Sequence, residues 1–69
     1  MILEMWTVEK ISESCLKWLK NGREAIIIYK EGALWKGHVL GASTEVSSDT
    51  YRGVAEKVII IARECGWDD

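Results

Sequence analysis

An α+β fold is what this sequence predicts: a small antiparallel sheet, built of one hairpin and a short third strand, packed on one face by two helices in the order α-β-β-(β)-α. Three observations lead there. A three-and-four spacing of apolar residues runs from Val8 to Leu19, a β-branched run at Ile26–Ile28 precedes a glycine turn, and a second amphipathic stripe begins at Tyr51.

In the first segment, Val8, Ile11, Cys15, Trp18 and Leu19 share the stripe, with Leu16 adjoining and Thr7 placed to cap. Glu13 and Lys17 stand four apart in the favourable order, and Asn21-Gly22 tolerates the left-handed backbone of a helix C-terminus. Glu24 to Lys30 then reads as a strand, Glu31-Gly32 as its turn, and Ala33 to Leu40 as the return strand. The hairpin sorts its side chains by alternation. Ile26, Ile28, Trp35 and Val39 form an inner face, while Ala25, Ile27, Tyr29, Leu34, Lys36 and His38 form a half-polar outer one that suits a partner better than water. Thr44-Glu45-Val46 reads as an edge strand. For the last helix, Ser47 is the expected cap, Asp49 a favourable first-turn charge, and Val46 a staple onto Tyr51. Its stripe is Tyr51, Val54, Ala55, Val58, Ala62 and Cys65; Gly66 ends it and Trp67 folds back. Met1 to Met5 are compatible with a short strand or with an extra turn of the first helix.

Length limits the answer. Sixty-nine residues without proline, nearly half of them apolar, make one domain over residues 1–69, and a chain this short buries only about 60% of the surface its unfolded form exposes. Small domains compensate with disulfides, metals or association. Cys15 and Cys65 lie far apart and are expected as buried thiols; they and His38 are too scattered for a zinc site, and no cofactor motif occurs. Gly32 to Gly37 has the gap of a phosphate loop, but His38-Val39 replace its lysine and hydroxyl residue. Association is therefore expected, as a homo-oligomer. Nine basic against eleven acidic side chains disfavour nucleic acid, no apolar run is long enough to span a bilayer, and the apolar start has no basic leader, so the cytoplasm is the expected compartment. Asp68-Asp69 reads as a solvated tail.

Seven residues stand out as interface or ligand candidates. Ile60 lies among Gly53, Glu56, Lys57 and Glu64, away from the helix stripe, and joins Tyr29 and Leu34 as apolar surface that one layer leaves uncovered. Trp6 and Trp67 sit near the chain ends, suited to an interface or a stacking wall, whereas Trp18 and Trp35 read as core. Lys36 and His38 lie side by side on the outer strand face; a surface role is the main reading of His38.

The element order, with the pair Gly37-His38, resembles double-stranded-RNA-binding domains and the small HicA-type toxins. That resemblance implies a ribonuclease with His38 as its acid-base residue. The main expectation is different: a non-catalytic, self-associating binding module, a regulator or inhibitor acting through a protein or small-ligand interface. A third reading is capture of a nucleotide-like ligand, with Lys36, Arg23 or Arg52 on phosphate and a terminal tryptophan on the base.

Overall fold

A computed structural model describes residues 6–67. It contains five strands in an antiparallel meander, β1 (Trp6–Ser12), β2 (Cys15–Lys20), β3 (Arg23–Glu31), β4 (Leu34–Val39) and β5 (Glu45–Ser48), followed by one helix, α1 (Tyr51–Glu64). The sheet order is the chain order. The expected two-helix arrangement is thus incorrect: the stretch predicted as the first helix is the hairpin β1–β2.

Asn21-Gly22 shows why. Both residues have positive φ, 53° and 84°, so they form the two-residue turn that matches strand twist and connect β2 to β3, rather than ending a helix. Leu16 and Trp18 then alternate with Lys17 and Leu19 across the pleat. Irregularities in the ladder fall around Ile11, between Lys10 and Ser12, and at Ala25, opposite the step from Trp18 to Leu19. An extra residue in β1 breaks the two-residue period and leaves Val8 and Ile11 at a helix-like spacing of three.

The second hairpin and the last helix are present. Pairing of Lys30 with Trp35 and of Glu31 with Leu34 puts its turn at Gly32-Ala33, one residue later than expected, and the inner face still carries Ile26, Ile28, Trp35 and Val39. Thr50, not Ser47, caps α1, its hydroxyl accepting from the Gly53 amide at 3.0 Å. Asp49 accordingly lies before the first turn, which holds no acidic residue. Val46 belongs to β5 and packs against the core. At the other end Gly66 takes a φ of 87° and the Trp67 amide donates back to the Ala62 carbonyl at 2.9 Å.

The core lies between α1 and strands β3 to β5. Val54, Val58 and Ala62 of the helix meet Ala25, Ile26, Ile28 and Val39. Gly37 makes this contact possible. A Cβ there would lie 2.6 Å from methyl carbons of both Val54 and Val58, so only glycine lets the helix settle this close to β4. Residues 1–5 and the Asp68-Asp69 tail, for which expectations were stated, lie outside the described residues.

Candidate functional site

The helix covers one half of one face, and two surfaces remain. The first is the whole opposite face of the sheet. Register sets its rows: Glu9, Lys17, Ile27, His38 and Glu45 stand in line across all five strands, with Cys15, Tyr29, Lys36 and Ser47 in the next row. Of the seven candidates, this face gathers Tyr29, Leu34, Lys36 and His38.

Its charges are arranged in pairs. Lys17 reaches Glu24 at 2.5 Å, Lys36 reaches Glu31 at 2.7 Å, and the Tyr29 hydroxyl donates to Glu45 Oε2 at 2.6 Å. The hydrogen bond to Glu45 holds the Tyr29 phenol above its ordinary pKa of 10.0, because ionisation would set phenolate against carboxylate. Hydrogen bonds to Glu24 and Glu31 likewise raise Lys17 and Lys36. Between the pairs lies a shallow depression of about 170 Å³ lined by Lys17, Glu24, Ala25, Ile26, Ile27, His38 and Leu40. Its lining is mainly apolar, with the paired Lys17 ammonium and Glu24 carboxylate and the His38 imidazole as its polar groups.

The register sets the neighbours of His38 on this face. A catalytic histidine needs a partner to orient its ring. Glu45 stands opposite His38 in the ladder, yet its carboxylate serves Tyr29. The order helix, strands, helix that carried the resemblance to HicA-type ribonucleases is also absent. Among the described residues no group of histidine, cysteine and carboxylate side chains is placed to hold a metal, and no helix is long and apolar enough to cross a membrane.

The second surface is on the helix side, where α1 does not reach. There β1 and β2 present Trp6, Val8, Lys10, Leu16 and Trp18 beside the helix flank. Trp6 meets Trp18 edge-on at 6.2 Å, and Trp18 Nε1 donates to the Tyr51 hydroxyl at 2.9 Å, tying this shelf to the first turn of α1. Trp18 is therefore half-buried on a strand. Trp35 packs edge-on to Tyr51 at 5.5 Å. Ile60 is 59% exposed on the outer pole of α1 and Val8 is 53% exposed on the shelf.

Trp67 has a third position, as a clamp. Its indole N–H donates to the Leu40 carbonyl at 3.0 Å, its own carbonyl accepts from the buried Lys20 ammonium, and Arg23 lies 5.3 Å over its ring. One ring face is thus already taken by a cation of the same chain. Arg23, Lys36 and Arg52 are not brought together: Arg23 flanks the Asn21-Gly22 turn, Lys36 is on the open face, and Arg52 is on the helix surface beside Glu56 at 3.7 Å. Both cysteines are free thiols, but neither is buried as expected: Cys15 is half-buried and Cys65 exposed.

Lys17, Glu24 and Leu40 were not singled out from the sequence as site residues. A hairpin reading of Asn21-Gly22 would have placed Lys17 opposite Ile26, and the irregularity at Ala25 moves it one residue on, beside Ile27. No protein family, curated protein or solved structure matches this chain.

Proposed function

We propose that this chain is a small non-catalytic module that assembles with itself and binds a protein or small-ligand partner on the open face of its sheet, as a regulator or inhibitor does. One observation carries the reading: a single helix covers β3 to β5 on one side, so apolar groups are left on both faces of the sheet. Ile27, Leu34 and Leu40 remain on the open side, and Val8, Trp6 and Ile60 on the helix side. Two uncovered surfaces suit two tasks, assembly through one and recognition through the other. The ion pairs that frame the open depression set the orientation of a partner, and its apolar floor supplies the affinity. The cytoplasm is the proposed compartment, in keeping with the two thiols.

Sedimentation at tens of micromolar tests assembly: a mass above 7.8 kDa is expected, and a monomer at hundreds of micromolar would contradict the proposal. Native mass spectrometry of the purified chain tests recognition. An added mass that disappears in Ile27→Lys and survives in His38→Ala is the expected result; loss in His38→Ala alone would give the imidazole a role this reading does not include.

A further inference from the structure

The open face of the sheet carries its acids around its apolar groups. Glu9 and Glu45 end the row Glu9, Lys17, Ile27, His38, Glu45 and lie on the two edge strands. Glu24 and Glu31 lie at the two ends of β3, paired with Lys17 and Lys36. Four strand spacings of about 4.8 Å put the first two roughly 19 Å apart, and six to seven strand rises of about 3.3 Å put the second two roughly 20–23 Å apart. All four are exposed. Inside this frame are Ile27 and Tyr29, with Leu34 beside Glu31 and Leu40 beside Ala25, and three of these, Ile27, Leu34 and Leu40, are exposed.

Two lysines share the face, but they lie lower than the acids. The side chains of Lys17 and Lys36 are 26% and 27% exposed, against 61% and 65% for the glutamates they pair with. A partner therefore meets carboxylate first. Glu24, Glu31 and Glu45 are each engaged through one oxygen, and a carboxylate accepts through two.

We infer that this face receives a basic amphipathic segment of another protein, with an apolar stripe flanked by lysine or arginine. The inference rests on the recognition surface proposed above and names the chemistry of its partner. The stripe covers Ile27, Tyr29, Leu34 and Leu40, and the flanking cations bind the outer oxygens of the frame. A helix spans the frame in about 13–15 residues, whichever way it lies. Other occupants fit the charges less well. Phosphate backbones and anionic lipid surfaces are repelled. A second copy laid face to face sets carboxylate on carboxylate: about an axis along β3, Glu9 of one copy meets Glu45 of the other, and about an axis along the row, Glu24 meets Glu31.

Three labelled synthetic peptides of about 14 residues, titrated with the full chain and read by fluorescence anisotropy, test this. One is an amphipathic leucine and lysine helix, the second has glutamate for lysine, and the third is a scrambled leucine and lysine sequence. The scrambled peptide controls for the net charge of −2 on the whole chain. The lysine helix should bind at least roughly tenfold tighter than either control. Ile27→Lys should abolish binding, while Glu9→Lys and Glu31→Lys should each weaken it by roughly three- to tenfold, with circular dichroism melts confirming that each variant folds. Equal affinity for the scrambled peptide, or no binding of the lysine helix at hundreds of micromolar, overturns the inference. Preference for the glutamate helix, still lost in Ile27→Lys, keeps the open face as the recognition surface and overturns the basic partner. Binding that survives Ile27→Lys and is lost in Ile60→Glu moves recognition to the helix side and overturns both. A dimer dissolved by Ile27→Lys in sedimentation gives the face to a second copy and also overturns the inference.

Discussion

The two halves of this sheet are stabilised by different means. Strands β3 to β5 lie under α1, and among the described residues every buried apolar one, from Ala25 to Ala62, belongs to that half. Strands β1 and β2 contribute only one buried side chain, Lys20, and are held by the backbone ladder, the Trp6 and Trp18 rings and the tie to Trp67. The first half has a core of its own. The second is an extended hairpin whose apolar side chains are at most half-buried, with Trp6 and Trp18 packed against the edge of that core and Val8 and Ile11 exposed. Hydrogen bonds alone contribute little net stability in water, so in the single chain the second half is the less stable of the two.

Breaking the core half should have the largest effect. A chain of this size has a stability of about 3–10 kcal/mol, and Ile28→Ala, at a fully buried position, should remove about 2–5 kcal/mol and leave the variant largely unfolded in thermal melts. Gly37→Ala should cost somewhat less, about 1–3 kcal/mol, because the added methyl drives α1 off β4. Failure of either to lower the midpoint would contradict the helix placement.

A change at the β2–β3 turn separates the halves. Gly22→Val forces a branched side chain into a left-handed backbone, at about 1–2 kcal/mol. Amide protection should fall in Thr7 to Lys20 and hold in β3, β4 and α1. Equal loss everywhere would mean that the halves form one cooperative unit.

Trp67→Ala should have a smaller effect, removing the tie between the C-terminus and Lys20, Arg23 and Leu40. Its expected signature is a melting midpoint lowered by a few degrees without loss of the core.

The smallest effect concerns the open face. With its pKa raised by Glu45, Tyr29 contributes stability that is complete below its ordinary value of 10.0 and is lost as pH rises through its higher folded value. Lys17 and Lys36, also raised, act in the same direction above 10.5. Glu45→Gln, made in a Tyr51→Phe background so that one phenol is read, should bring the phenolate absorbance midpoint back toward 10.0. An unchanged midpoint would remove Glu45 as the cause.

The same division separates what was legible in the sequence from what was not. In the core half, three consecutive isoleucines and a glycine turn identify a hairpin, and the stripe from Val54 to Ala62 identifies a helix, because burial against one layer imposes a clean period. In the hairpin half burial imposes nothing so strict. The irregularity at Ile11 broke the alternation, and Asn21-Gly22, which serves both helix ends and tight hairpins, was read as the former. Gly37 held a further signal, since a lone glycine inside a strand marks close approach of another element, and it points to the helix crossing over β4. The open-face candidates Tyr29, Leu34, Lys36 and His38 followed from alternation within one hairpin. Lys17 and Glu24 required knowledge of the neighbouring strand.

Hydrogen exchange followed across protein concentration tests the proposed self-association most directly, with β1 and β2 as the half expected to respond. Amides of Thr7 to Lys20 should gain protection as concentration rises from below to above the dimer dissociation constant, while those of β3, β4 and α1 stay constant. Uniform protection in both halves at every concentration would contradict it.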